Sequence, residues 1–329
     1  MARILLTHTP AARAAYYGRA LAGLQAHGEV RLHEFAEPLA DEALVAAARG
    51  CQVVVSDRNT PGPALLFRES PKLVAFVRCA VDIRTVDVEA ASASGVLVTR
   101  ASPGFVASVT ELVIAMMVDL ARGVSTATAA YQAGAVPVAA LGTQLSGSTL
   151  GVIGYGAIGL NLARVGLALG MQVLAYDPYA QIEDPGVRST SLQVLLAESD
   201  FVVCLAVASD ETENLLNAEA FARMKPSAYF VNPSRGNLVD ETALRDVIER
   251  HAIAGVAMDV GRAPDQLPSP ELARLPGVIA TPHIGGLTPP AIDHQALETV
   301  EQVRAILDAV APPGAINADR ATRLSCLRS

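Results

Sequence analysis

The sequence predicts an α/β protein of two domains, each built on a doubly wound parallel sheet, with the second inserted into the first. Three observations carry this. Short apolar runs rich in β-formers alternate with helix-length stretches along nearly the whole chain, a rhythm that gives parallel sheets with helices on both faces. A glycine cluster, Gly154-Tyr155-Gly156-Ala157-Ile158-Gly159, stands mid-chain directly after one such run and opens a helix. The 329 residues are enough for two domains of ordinary size.

In order, Arg3 to Leu6 reads as a strand, Ala11 to Ala26 as a helix and Val30 to Phe35 as a strand. Asp41 to Ala48 is a short helix, and Gln52 to Ser56 and Leu73 to Arg78 are strands. Val86 to Ser94 forms a helix and Val96 to Thr99 a strand. A long helix runs from about Ala107 to Arg122, with Val109, Leu112, Val113, Met116, Met117 and Leu120 at helical spacing, so its methionines are expected in the core. Residues 123–148, rich in Gly, Ala, Ser and Thr, are weakly patterned and bridge to the next strand. After the glycine cluster, strands are expected at Phe201–Val207, Ala228–Val231, Ala254–Val260 and Val278–Ala280, with helices at Leu192–Ala197, Ala218–Met224, Glu241–Arg250 and Pro290–Val310. Residues 263–270 form a proline-rich loop, and residues 311–329 look like a tail.

The stretch from Thr149 to Asp177 has a mechanical reason for each part. Thr149 to Ile153 is a buried strand, and Gln172 to Tyr176 a second one. Between them, Gly154 permits a tight turn, Gly156 lets a pyrophosphate approach the backbone, and Gly159 lets the helix pack on its strand. The helix N-terminus offers unpaired N–H groups and partial positive charge to phosphates. Asp177 lies eighteen residues past Gly159 (177 − 159), where a carboxylate takes ribose hydroxyls and repels a 2′-phosphate. The cofactor expected is therefore NAD rather than NADP, bound through residues 154–159 and Asp177. A cluster placed mid-chain, after a first αβ unit, implies insertion of the nucleotide domain and ligands in the cleft.

Composition narrows the class. A net charge of −8 argues against nucleic acid or an anionic membrane as partner. No apolar run approaches a membrane span, and the opening MARILLTHTP is too short an apolar segment for a signal peptide. Cys51, Cys79, Cys204 and Cys326 lack metal or CxxC spacing; the first three lie in apolar strand-like runs, which fits free thiols in a reducing cytoplasm and no metal site.

Several stretches, VNPSRGNLVDETAL (231–244), GVAMDV (255–260), ATPHIGG (280–286) and GYGAIG (154–159), resemble the D-isomer-specific 2-hydroxyacid dehydrogenases, in that family's order. The resemblance implies a flavodoxin-like substrate domain (1–101 plus 287–329) around an inserted Rossmann domain (102–286), a homodimer, and NAD-linked hydride transfer. It implies that Arg235 grips the substrate's carboxylate and carbonyl oxygen and that His283 is the acid/base. It implies that Asp259 holds the nicotinamide carboxamide and that Thr110, in the VTE segment 109–111, lies near the cofactor. The chemistry independently suits these types: charge developing on a carbonyl oxygen calls for a donor titrating near neutrality, and a guanidinium forks onto a 2-oxo acid. Standing alone, Arg235 would read as a helix cap and His283 as an ordinary strand-end histidine.

Three departures from the family pattern stand out. Where the family has a glutamate five residues beyond Asp259, this chain has Pro264, with Asp265 and Gln266 beside it. Asp265 serves as the partner of His283 if the loop slides by one residue; Gln266 would orient the ring without charge. The family loop whose amides bind substrate carboxylate reads Ala80-Val81-Asp82-Ile83-Arg84-Thr85, with Asp82 in place of a glycine, unfavourable unless Arg84 pairs with it. Phe105 stands where asparagine is frequent. Arg58, Arg78 and Arg84 offer a pocket for a second anionic group, although solvated surface arginines are the default reading. The leading expectation is hydride transfer between NAD(H) and a 2-hydroxy acid/2-oxo acid pair; the alternatives are oxidation of a small anion such as formate or phosphite, and an NAD-binding regulatory protein without turnover.

Overall fold

A computed structural model describes residues 1–328. Within them the chain divides into two compact units, residues 1–104 with 289–328 and residues 105–288.

The first unit has five parallel strands, β1 (Arg3–Leu6), β2 (Glu29–Leu32), β3 (Val53–Ser56), β4 (Ala75–Arg78) and β5 (Leu97–Arg100), in the order β2-β1-β3-β4-β5. That is the flavodoxin-like order, with a switch point between β1 and β3. The side chains alternate as the pleat requires. Ile4, Leu6, Val53, Val55, Ala75 and Val77 enter one core with Tyr17, Leu24 and Val303, while Leu5, Val54, Phe76 and Val98 enter another with Leu44 and Phe67. Both faces are covered, as strands with continuous apolar sequence require.

The second unit has seven parallel strands: β6 (Thr149–Ile153), β7 (Gln172–Tyr176), β8 (Val187–Ser189), β9 (Phe201–Cys204), β10 (Tyr229–Asn232), β11 (Gly255–Met258) and β12 (Val278–Ala280). Their order, β12-β11-β10-β9-β6-β7-β8, is the Rossmann arrangement extended by one strand, with the switch point between β6 and β9. Leu150, Val152, Val203 and Val231 pack under the helix Val106–Arg122, whose Val113, Met116 and Met117 are buried as expected. Ile153, Val202, Phe230 and Val256 face the opposite core, with Leu244 and Ile248 of the helix Glu241–Glu249. No single helix among the described residues is long and apolar enough to cross a membrane.

Several expectations are corrected. The helix expected over Ala11–Ala26 is broken into Pro10–Ala15, a 3-10 turn Tyr17–Ala20 and Leu21–His27; Gly18 lies at the break, where a Cβ would stand 2.8 Å from the Arg13 carbonyl oxygen. Helices at Ala64–Glu69 and Val124–Gln132 and the edge strand β8 were not legible, because each is short and only partly buried. The expected tail at 311–329, whose Ser329 lies outside the described residues, is packed structure. Gly314 accepts from the Arg100 amide, Ala315 bridges Thr99, and buried Asn317 bonds the backbone of Val98 and Val96. This segment covers β5, which would otherwise present an open edge.

Candidate cofactor and catalytic site

The glycine turn behaves as its residue types require. Gly154, at the end of β6, has φ 93°, and a Cβ there would lie 2.6 Å from the backbone of Leu205 and Ala206, so both conformation and space demand glycine. A Cβ on Gly159 would lie 2.1 Å from the Gly154 carbonyl oxygen. At Gly156 a Cβ would meet nothing within 4 Å, so the backbone there is open to a ligand. Gly156 is also the N-cap of the helix Ala157–Ala168 and brings no capping side chain, which leaves the helix N–H groups to a phosphate. Tyr155 is buried in the core beside this turn, and Ala157 and Ile158 form the helix's first residues.

Asp177 follows β7. Its Oδ2 accepts from the Tyr155 amide at 2.7 Å, and its Oδ1 from the amides of Tyr179 (2.8 Å) and Ala180 (3.1 Å). The carboxylate is thus held rigidly next to the glycine turn. Open backbone at Gly156, an uncapped helix start and a fixed acid together fit a dinucleotide with unmodified ribose hydroxyls.

Thr110 is buried on the helix Val106–Arg122, donates to the Val106 carbonyl (2.8 Å) and accepts from Asn161 Nδ2 (3.0 Å). Asn161, missed in the sequence, ties that helix to the one after the glycine turn.

Beyond β10, Asn232 organises the turn carrying Arg235. Its Nδ2 donates to the Arg235 carbonyl (3.0 Å), its Oδ1 accepts from the Ser234 amide (3.2 Å), and Ser234 Oγ donates to the Ala206 carbonyl (2.9 Å). Arg235 itself sits in extended backbone, and its Nη1 donates to the Ser234 carbonyl at 2.7 Å.

Asp259 is only 1% exposed and has a task the sequence did not reveal. Its carboxylate accepts from Thr281 Oγ1 (2.6 Å) and from the amides of Ile284 and Gly285 (2.8 Å each), and its carbonyl accepts from the His283 amide (2.9 Å). These bonds clamp the turn that bears His283, which lies at φ 55°, a left-handed conformation that a non-glycine residue holds only under constraint. Buried acid and strained histidine form one device.

Asp265 meets His283 through its backbone carbonyl oxygen, 3.4 Å from Nδ1, a long contact. Asp265 and Gln266 are themselves left-handed (φ 59° and 60°), and Gln266 Oε1 is buried without a partner inside the chain.

In the first unit, the loop after β4 carries Val81, Asp82 and Arg84. Arg84 pairs with Asp82 through Nη2 (2.7 Å) and Nε (3.1 Å), and its amide also donates to Oδ1 (3.0 Å), so the acid is neutralised within its own loop. Arg58 is exposed, but the surface reading fails for Arg78, which is fully buried and donates to the Asp57 carbonyl and to Thr85 Oγ1. The Cys79 and Cys204 thiols are pushed up to about 12 by burial and are therefore unreactive.

Residues 114–285 match the family model described as D-isomer specific 2-hydroxyacid dehydrogenase, NAD binding domain. A D-3-phosphoglycerate dehydrogenase of Synechocystis sp. is 36% identical over 256 residues, covering 77% of this chain and 46% of the relative. The chain thus spans about half the length of the phosphoglycerate dehydrogenases it matches. A glyoxylate reductase of Korarchaeum cryptofilum is 30% identical over 308 residues, covering 91% of this chain and 92% of the relative. Among solved structures, the TT0316 protein from Thermus thermophilus superposes with a TM-score of 0.83 at 30% identity, over 95% of this chain and 99% of that one. By its glycine turn, its sheet orders and these similarities, the chain belongs to the D-isomer-specific 2-hydroxyacid dehydrogenases.

Proposed function

We propose that the protein is an NAD-dependent 2-hydroxyacid dehydrogenase, interconverting a 2-oxo acid and a 2-hydroxy acid. The observation that carries this is the pairing of a rigidly placed guanidinium turn with a histidine held strained by a buried carboxylate, in the unit that also bears the dinucleotide turn. Bound NADH supplies a hydride to the carbonyl carbon. Arg235 forks onto the substrate's carboxylate and carbonyl oxygen, orienting the carbonyl and stabilising the charge that develops on it. His283, as imidazolium, donates the proton to that oxygen, and in the reverse direction the neutral ring takes it back. Contact between Nδ1 and the Asp265 carbonyl favours a proton on Nδ1, which leaves Nε2 to exchange the proton.

Asp259 holds the His283 turn and, through Oδ2, also offers an acceptor to the nicotinamide carboxamide. Thr110 supports the cofactor indirectly through Asn161. The 105–288 unit serves as the NAD domain, and the first unit supplies the substrate loop with Val81, Asp82 and Arg84. A glyoxylate reductase among the relatives supports a small 2-oxo acid as substrate. Formate- or phosphite-type oxidation has no specific observation in its favour; the absence of the family glutamate at Pro264 favours a purely regulatory role, and the retained Arg235 and His283 oppose it.

The working form is a homodimer in the cytoplasm. The segment after the helix Val124–Gln132 carries Val136, Val138 and Leu141, each more than four-fifths exposed, and exposed apolar side chains grouped in one short segment favour a partner. Three buried thiols suit a reducing compartment.

The roles are tested by titrating NADH fluorescence and assaying glyoxylate reduction with Arg235→Ala and His283→Asn. Retained NADH binding with turnover lowered by several orders of magnitude is expected; near-normal turnover in either variant overturns its role.

A further inference from the structure

We propose that Arg262 is a positioning residue that fixes the Arg235 turn against the loop beneath His283. The proposal rests on the roles given above to those two residues.

Arg262 stands three residues beyond Asp259, at the stem of the 261–269 loop. Its guanidinium reaches two separate stretches of chain. Nη1 pairs with Glu213 Oε1 (2.8 Å), and Nη2 donates to Asn214 Oδ1 (2.6 Å). Nη2 also donates to the carbonyls of Asn237 and Val239 (3.0 Å each), and Nε to the Val239 carbonyl (3.2 Å). Asn237 and Val239 lie two and four residues after Arg235, in the turn whose other side Asn232 holds.

The loop stem is fastened as well. The Arg262 amide donates to Glu241 Oε1 (3.0 Å), whose Oε2 accepts from Ser269 Oγ (2.6 Å), and the Gly261 amide donates to the Gln266 carbonyl (3.0 Å). The backbones of Gly236 and Gly261 touch: a Cβ on Gly236 would lie 2.1 Å from the Gly261 carbonyl. From this stem the loop continues to Asp265, whose carbonyl meets His283 Nδ1. A surface arginine held by one acid contributes little. One that bonds two main-chain carbonyls of the neighbouring turn as well sets the spacing between backbones. Lysine, with its single ammonium, cannot reproduce that fork. Arg262 also holds the Glu213 carboxyl below its ordinary range, with Asn237 adding to the effect.

A double-mutant cycle tests this, with NADH affinity read by fluorescence, thermal melts as a fold control, and glyoxylate as the substrate probe. Arg262→Ala is expected to keep NADH affinity and to lose roughly tenfold or more in kcat/KM, with KM rising. In an Arg235→Lys background the same substitution is expected to cost about threefold or less, because the group it positions is already altered. Arg262→Lys keeps the Glu213 pair, so it is expected to melt closer to the wild type while still raising KM. Unchanged kinetics in Arg262→Ala, or an equal loss in both backgrounds, overturns the proposal. Normal turnover in Arg235→Lys alone overturns the reading of the site, and this proposal with it.

Discussion

At Asp177 the carboxylate faces backbone amides from two directions, so its position is set before any ligand arrives. It is expected to favour NAD over NADP by at least about tenfold, or about 1.4 kcal/mol. Asp177→Ala should narrow that preference in competitive binding assays; equal use of both cofactors by the wild type would contradict the assignment. For His283, reduction needs imidazolium, so its rate should fall as pH rises through the ring's pKa, and oxidation should fall as pH drops through it. Because Asp265 meets the ring through a backbone carbonyl, Asp265→Asn keeps that contact, and the reduction limb is expected to stay in place. Displacement of the limb to lower pH would show that the carboxylate's charge acts on the ring after all. Residue types and spacing made the three glycines legible in the sequence, whereas Arg235 and His283 were legible only through the family resemblance of residues 231–244 and 280–286. The clamp of Asp259 on residues 281–285 was not, since it depends on a turn 22–26 residues further on closing over the acid.

Among the elements, strands with continuous apolar runs were placed to within a few residues, because burial on both faces leaves a dense signal. The elements that escaped are those whose support comes from elsewhere in the chain. The 311–328 segment has little apolar periodicity, and its order comes from hydrogen bonds to β5 and its flanks. Asn317 is the centre of that contact: Oδ1 accepts from the Val98 amide (2.8 Å), and Nδ2 donates to Ser92 Oγ (2.8 Å) and the Val96 carbonyl (2.9 Å). Asn317→Ala leaves a buried amide and carbonyl without these partners and is expected to cost about 2–3 kcal/mol in urea unfolding. A loss below roughly 0.5 kcal/mol would mean that the segment is not integral to the sheet.

Across the whole molecule, acid stability depends on a residue that stands outside the proposed chemistry. His8, after β1, is fully buried, stacked on Tyr17 at 3.7 Å, with Nε2 3.3 Å from Cys79 Sγ. Burial, aided by Arg13 and Arg78, lowers its pKa from 6.5 to about 3. The unfolded chain therefore takes up a proton below pH 6.5 that the native state refuses until about pH 3. The contribution is fully present above 6.5 and is lost progressively as pH falls towards 3, at up to about 1.4 kcal/mol per pH unit. His8→Gln is expected to flatten the stability profile across that window; an unchanged slope in urea melts between the two pH values would contradict the assignment.

The most direct test of the proposed reaction is to mix the protein with NADH and a panel of 2-oxo acids, glyoxylate among them, and to quantify NADH consumed against 2-hydroxy acid formed. The reaction requires loss of NADH with at least one 2-oxo acid, matched mole for mole by its hydroxy acid. Tight NADH binding with no turnover of any 2-oxo acid would contradict it.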